Sequence, residues 1–415
     1  MPTTFELLVL LWSAWVVQSW LSALQLRKFL RRRVLAGQPW FPPHTPRAHV
    51  VVPVKGVDAD LRDCVRGLLD QDYPDYRVIF VVQSESDPAA SVLRDELGAH
   101  AGGRGRLVVA GVAGPEVGQK VHNQLAAIEL LDADSADDEA WVFADADAAP
   151  SRQWLAKLVA PLGFPKVGVS TGYRWMIPEA GRGSLWTLLA CQFNASAAAF
   201  LGRYFQRAWG GAMAMRAGVA RAGDLRGLLR GALSDDYQVS RMTRQMGLLI
   251  RFIPQCLVPS RVALDRAGMV QFVRRQYLIT RVYDPWLFLG AVAVLSLYAA
   301  GFLSALAAAV AWACTEPGSG RWLWPVGAWA LSGLGNALRA HYRRRIVRHA
   351  LGDAVERDLH AVLALDRWAT PLWMLAHLAV VLSAGVGRTI AWRGVRYRLD
   401  APQRVRRLEP PAPRP

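Results

Sequence analysis

Four stretches of this chain, Phe5 to Leu26, Trp286 to Cys314, Trp322 to Leu338 and Trp368 to Ile390, are nearly free of charge and close to the length that spans a bilayer. They narrow the possible folds sharply, because a segment in lipid must satisfy its backbone polar groups internally and does so as a helix. The chain therefore reads as an integral membrane protein with a large soluble insert after the first segment. Phe5 to Leu26 has no basic residue before it and is followed by Arg27, Lys28, Arg31, Arg32 and Arg33, which marks an anchor and not a cleaved signal.

Charge orients these segments. The formal net charge of +16 comes almost entirely from arginine, and the arginines cluster beside the apolar stretches, again at Arg339 to Arg348 and Arg393 to Arg407. Positive charge in those places marks the cytoplasmic side and the anionic lipid surface. It puts Arg31 to about Asp284 in the cytoplasm and the N-terminus outside. A nucleic-acid partner is excluded, since binding would need basic residues interleaved with aromatics on a folded surface. Cys64, Cys191, Cys256 and Cys314 show no paired spacing and the eight histidines form no ligand cluster, which excludes a disulfide framework and a zinc site. A chain of 415 residues, 53% hydrophobic, still has room for one sizeable α/β domain.

That domain is written in the insert. Pro42, Pro43 and Pro46 lead into His49-Val-Val-Val-Pro53-Val-Lys55-Gly56, a short buried strand whose end is stopped by Pro and Gly. Tyr76 to Val82, Arg106 to Ala110 and Trp141 to Ala144 are further strands, separated by helical spacing over Asp60 to Leu69, Ala89 to Leu97 and Val121 to Leu131. Alternation at these lengths predicts a parallel sheet. The fourth strand empties into Asp145 and Asp147, where open α/β sheets keep their chemistry. Paired hard anionic oxygens suit Mg²⁺ or Mn²⁺ carrying a diphosphate, although a solvated acidic turn reads the same by itself. Gly111 to Lys120 lacks the Gly-Lys-Ser/Thr ending of a phosphate loop. Lys120 and Asn123 instead open a helix whose N-terminus suits an anion.

Val167 to Thr171 reads as a strand, Ser184 to Leu201 as a helix and Trp209 to Met215 as a strand. Gly210 and Gly211 allow either close approach of backbone to a ligand or a packing bulge. Ser234-Asp235-Asp236-Tyr237 starts a helix running through Met246, and taken alone the serine and two acids read as good capping. Ala267 to Tyr283 is an amphipathic, arginine-bearing helix suited to the membrane interface.

Eight pieces stand in order along the chain: Pro53-Val-Lys-Gly-Val-Asp58, Asp72-Tyr-Pro-Asp-Tyr76, Val82-Gln-Ser-Glu-Ser-Asp-Pro88, Lys120-Val-His-Asn123, Asp145-Ala-Asp147, Gly210-Gly211, Asp235-Asp236-Tyr237 and Ala391-Trp-Arg-Gly-Val-Arg-Tyr-Arg-Leu399. In this order and spacing the chain resembles the membrane-bound family 2 glycosyltransferases, most closely their ceramide glucosyltransferase branch. The resemblance implies an α/β, GT-A-type, Rossmann-like mixed sheet, a UDP-sugar donor, a divalent metal and a membrane lipid acceptor. By position it implies that Pro53, Val54, Lys55 and Asp87 hold the nucleotide, that Asp145 and Asp147 hold the metal, and that Asp236 is the catalytic base. It adds Lys120, Asn123, Gly210, Gly211 and Asp235 to the donor site. Gln271, Arg274 and Arg275 stand where the family carries Gln/Arg-x-x-Arg-Trp, with arginine in place of the tryptophan, and His122 stands where the ceramide branch has asparagine.

The expected organisation is an anchor over residues 1–34, a cytoplasmic transferase domain over 35–265, an interface helix over 266–285, a membrane region over 286–392 and a basic, Pro-rich tail over 393–415. The expected reaction is inverting transfer of a hexose, glucose first, to a lipid hydroxyl at a bacterial inner membrane. A processive or polyisoprenyl-phosphate transferase of the same fold and a catalytically silent membrane scaffold are the alternatives.

Overall fold

The computed structural model describes residues 3–35, 41–58, 60–100, 102–147, 149–198 and 207–408. In chain order these form α1 (Thr4–Phe29), β1 (Ala48–Pro53), α2 (Leu61–Leu69), β2 (Tyr76–Val82), α3 (Pro88–Ala99), β3 (Gly105–Val109), α4 (Gln119–Asp134), β4 (Ala140–Ala144), α5 (Trp154–Val159) and β5 (Val167–Pro178). There follow α6 (Leu185–Ala197), β6 (Ala212–Arg216), α7 (Ala217–Ala222), α8 (Leu225–Leu229), α9 (Asp235–Gln245), β7 (Leu249–Val262), α10 (Arg266–Tyr283) and α11 (Pro285–Thr315). The chain continues through α12 (Leu323–Leu351), α13 (Asp353–Asp358), α14 (His360–Trp368), α15 (Thr370–Ala384), β8 (Thr389–Trp392), β9 (Val395–Ala401) and β10 (Arg404–Leu408). Two compact units result. One holds α1, α6 and α10 to α15, and the other holds β1 to β4, β6, most of β5 and β7, α2 to α5, α7 to α9, and β8 to β10.

The sheet unit is the expected α/β mixed sheet. Seven strands run in the order β3-β2-β1-β4-β6-β5-β7. β1 pairs parallel to β2 and β4, and β2 parallel to β3, while β6 is antiparallel to both β4 and β5. Because side chains alternate along a strand, the continuous apolar runs feed two cores. Val50, Val52, Phe80 and Val142 pack on one face with Leu61, Leu93 and Trp154. Val51, Ile79, Trp141 and Phe143 pack on the other with Val121, Ile128 and Val239. Both faces are covered by helices, so ligands are left the carboxyl ends of the parallel strands. Successive connections carry the chain from β1 to β2 on one side and to β4 on the other, which opens a crevice at the ends of β1 and β4.

β7 was not read from the sequence. Pro254 and Pro259 argue against a strand, yet β7 is the last strand in the sheet order, where a missing N–H is tolerated. Residues 393–408, assigned above to a tail, instead form β9, β10 and the turn into β9. In β9, Val395, Tyr397 and Leu399 alternate with Arg396, Arg398 and Asp400, and Tyr397, Leu399 and Val405 are buried. Residues 409–415 of that expected tail, and the end of the helix expected to reach Leu201, lie outside the described residues.

In the helical unit, Thr4–Leu35 and Pro285–Thr315 are long and apolar enough to cross a membrane. The last apolar stretch is not one long helix. α15 has 15 residues, which at about 1.5 Å per residue falls short of a hydrocarbon core of roughly 30 Å. Within this unit α12, α14 and α6 are tied by one carboxylate: Asp366, fully buried, accepts from Arg339 at 2.9 Å, from Arg343, and from Gln192 at 2.9 Å. A buried carboxylate with two guanidiniums is costly to strand, because removing it leaves two desolvated cations. Asp366→Ala should therefore destabilise this unit by about 3–5 kcal/mol, read as a lower unfolding midpoint in detergent, and an unchanged midpoint would show the cluster to be dispensable.

Candidate active site

The crevice at the ends of β1 and β4 gathers four carboxylates around the chain's own cations. Asp145 leaves β4 with its N–H donating to the Gly211 carbonyl at 3.2 Å. Asp235 and Asp236 open α9, and Lys120 stands in the first turn of α4. The Lys120 ammonium lies 2.8 Å from Asp145 Oδ1 and 3.3 Å from Asp235 Oδ2, joining residues 90 positions apart in the chain through one ion. Asp235 also accepts from Gln124 at 2.6 Å. Burial alone would lower the lysine's pKa, but Asp145 and then Asp235 raise it, so the ammonium stays charged. Burial likewise pushes Asp145 upward, and Lys120 more than reverses this.

Asp147 differs from Asp145. Its Oδ2 lies 2.8 Å from Arg174 on β5, while its Oδ1 is buried without a hydrogen-bond partner. Burial holds this carboxyl above its ordinary value against the pull of Arg174. A buried acceptor left open asks for a donor or an ion. No group of three His, Cys, Asp or Glu able to hold a metal occurs among the described residues. The open oxygen of Asp147 near Asp145 fits a hard divalent ion, which would need further ligands from a substrate and water.

Asp236 accepts from Ser234 Oγ and, at 2.7 Å, from the Tyr237 N–H. Burial, then the charge of Asp235, pushes its carboxyl up to about 6. The Tyr173 ring meets Trp209 edge-on at 5.6 Å, and burial, against the pull of Arg174, pushes its hydroxyl up to about 12. A carboxylate with a raised pKa in a partly dry site is suited to taking a proton.

At the end of β1, Asp87 Oδ1 accepts from Gly56 N at 2.9 Å and from Ala89 N at 3.0 Å, so this acid caps α3 and holds the turn after Lys55. Val54 is buried, with its N–H donating to Val81, and Pro53 is half-buried. Asn123 is buried and donates to the Val81 carbonyl at 3.0 Å, which makes it a brace between α4 and β2. His122 places a ring nitrogen 2.9 Å from the Ala110 carbonyl. Gln119 occupies the Gly111–Gly118 loop by accepting from Ala113 N and donating to the Gly111 carbonyl, so that loop's groups serve its own fold. Gln271, Arg274 and Arg275 lie on α10 in the helical unit, where Arg274 donates to the Val386 carbonyl at 2.7 Å.

The two glycines acquire a defined reason. A Cβ on Gly210 would stand 2.5 Å from Asp235 Oδ2, and one on Gly211 would stand 2.5 Å from Asp145 Oδ2 and run into the Trp209 ring. The close approach is to the site's own carboxylates. The sequence reading missed Arg174, Gln124 and Tyr173 as members of the site. Arg174 sits inside β5 beyond the point where the strand was expected to stop, and Gln124 lies one residue past a motif that was read as ending at Asn123.

The sequence model of the family described as Glycosyl transferase family 21 matches residues 10–405. A ceramide glucosyltransferase of Komagataella phaffii is 34% identical over 67 residues, which is 16% of this chain and 12% of that protein. The chain thus spans about an eighth of that curated relative. A Pyrobaculum calidifontis mannosyltransferase solved with GDP-Man and Mn²⁺ superposes with a TM-score of 0.48 at 18% identity, covering 91% of this chain and 97% of that one. A glucosyl-3-phosphoglycerate synthase from Mycobacterium tuberculosis, solved with Mn²⁺ and UDP-glucose, gives 0.35 at 17% identity, covering 56% and 78%.

If close packing on the carboxylates is what keeps position 211 free of a side chain, Gly211→Ala should cost about 1–3 kcal/mol of stability by thermal unfolding. Gly114, where an added Cβ meets nothing within 4 Å, is the control. Equal midpoints for the two alanine variants would refute this reading of Gly211.

Proposed function

The chain belongs to glycosyl transferase family 21, and from that premise we propose that it is a hexosyltransferase moving a hexose, glucose first, from a UDP-sugar to the hydroxyl of a membrane lipid with inversion. The observation that carries the reading is the Lys120 ammonium held by both Asp145 and Asp235, which sets the acid next to Asp236 against the acids that leave β4. The name of the ceramide glucosyltransferase relative supports a lipid acceptor, and two helices long enough to cross a membrane support a lipid setting.

In this reading the donor lies over the ends of β1 and β4. Pro53 to Lys55, with the turn held by Asp87, line the nucleotide side, and Lys120 faces the diphosphate. Gly210 and Gly211 let the Asp235 and Asp145 carboxylates lie close against the backbone of this part of the site. Asp145 and Asp147 would hold a divalent ion, Mg²⁺ or Mn²⁺, which when bound neutralises the charge that builds on the leaving diphosphate. Asp236 accepts the proton of the lipid hydroxyl as that oxygen bonds to the anomeric carbon. The bond from that carbon to the diphosphate oxygen breaks, and UDP leaves with the bonding pair. One base on the face opposite the leaving group gives inversion in a single displacement, and no covalent nucleophile is used. Asp235, tied to Lys120 and Gln124, carries the base on a fixed helix start.

Asp236→Asn should abolish transfer while leaving metal-dependent UDP binding within about threefold, because removing the base spares the leaving-group site. Asp145→Asn should lose the metal dependence of UDP binding. Titration calorimetry with UDP and Mn²⁺ separates the two, and equal loss of affinity in both variants would show that Asp236 belongs to the donor site.

Since the Asp236 carboxyl stands at about 6, transfer should fall as pH drops below that value and the base takes up its proton. Stability runs the other way. The folded state binds this proton more tightly than the unfolded state, so the contribution is present at low pH and is lost as pH rises from the ordinary carboxylate value to about 6. A transfer rate flat from pH 5 to pH 7 would contradict Asp236 as the base.

A further inference from the structure

The three-stranded sheet of β8, β9 and β10 is held against the rim of the crevice at three separate places. The Arg407 N–H donates to the Pro115 carbonyl at 2.6 Å, and Tyr397 Oη accepts from the Gln119 N–H at 3.4 Å, both beside the start of α4. Gln403 donates to the Gly227 carbonyl at 2.9 Å and to the Arg230 carbonyl at 3.3 Å, in the segment that leads into α9. The third attachment is the tip of the β8–β9 hairpin, where Arg393 forks onto Asp58 in the loop after β1, with Nη1 at 2.8 Å from Oδ1 and Nη2 on Oδ2. Each of these loops adjoins a residue of the donor site: Lys55, Lys120 and Asp235.

The tip residue is unusual. Trp392 pairs with Val395 across a two-residue turn of Arg393 and Gly394, with φ of 49° and 76°. Such turns favour Asn, Asp or Gly at the first position, since an L side chain is strained there. Among the described residues the only other non-glycine with positive φ is Asp224, whose side chain caps α8. Arg393 has no capping role, and its guanidinium feels Asp147 and Asp145 as well as Asp58. Lys55 feels the charges of Arg407, Asp87 and Arg393. Burial and then Arg407 hold the Lys55 ammonium below its ordinary value against the pull of Asp87, with a smaller push from Arg393. Cations set among the acids that leave β4 are available to an arriving anion.

We propose that Arg393 is a diphosphate-binding residue carried to the donor site by the C-terminal hairpin, parked on Asp58 until the donor arrives and transferred to the donor's phosphates when it binds. The proposal rests on the donor site described under Proposed function. The exchange costs little, because the side chains of Arg393 and Asp58 are 43% and 35% exposed and a pair so open to water is weak. A phosphate pair offers the same fork a stronger, charge-assisted partner. Lys55 and Arg407 add attraction at the same rim.

The test is titration of the full-length protein in detergent, with Mn²⁺ present, against UDP and UMP, for wild type, Arg393→Gln and Asp58→Asn. Arg393→Gln should weaken UDP binding about tenfold or more, with a smaller effect on UMP, so that the preference for the diphosphate shrinks. Asp58→Asn should leave UDP binding unchanged or tighten it, because the competing carboxylate is gone. Equal weakening by the two variants would overturn the proposal, since the ion pair would then be holding the loop and not storing a ligand group. Unchanged UDP binding in Arg393→Gln, or equal loss for UDP and UMP, would overturn it too. A wild type that binds no nucleoside diphosphate would overturn the donor reading and this inference together. A wild type that prefers GDP would overturn only the choice of base, and the same comparison would then run with GDP and GMP.

Discussion

One ammonium ion holds the site in register. Lys120 meets Asp145 from β4 and Asp235 from the start of α9, and it reverses the upward push that burial gives the Asp145 carboxyl. Its attraction outweighs the cost of burial for Lys120 and Asp145 alike, as the directions of their pKa shifts record. Remove that charge and two acids face each other across the crevice with nothing between them. The glycines at 210 and 211 are the steric counterpart of the same requirement. A Cβ at either position would stand 2.5 Å from a carboxylate oxygen that Lys120's partners present there.

The neighbouring acids are sorted by their surroundings. Asp145 is kept ionised by Lys120. Asp147 is left with an open buried oxygen, and Asp236 is pushed toward neutral pH by burial and by Asp235. Carboxylates driven apart in this way can take different parts in one reaction, with one pair facing a cation and another group accepting a proton. Because these groups are fixed by backbone N–H donors, Ser234 Oγ, Arg174 and Gln124, their geometry is set before a ligand arrives.

Much of this was legible in the residue order. The apolar runs of β1, β2 and β4 announced buried strands, and Asp145 and Asp147 stood at a strand exit as expected. What escaped was of two kinds. Some elements break a local rule for a reason visible only in the sheet order, such as β7, whose prolines are tolerated because it comes last. β9 and β10 show clean alternation, but their arginines gave them the look of a solvated tail. The other kind was partnership across distance. Nothing near Lys120 in the sequence says that it spans Asp145 and Asp235, nothing near Arg174 names Asp147, and Asp58 and Arg393 are 335 positions apart. Asn123, which looked like a ligand group at a helix start, is buried and holds the Val81 carbonyl of β2.

The central claim is that this set of acids and its lysine serve the transfer of one sugar to one lipid. Mass spectrometry of membrane lipids, with and without the gene and with the Asp236→Asn variant, tests it most directly. The account predicts a lipid heavier by a single hexose residue that is present only with the unaltered chain. A polymer, a sugar joined through phosphate, or identical lipid profiles in all three would contradict it.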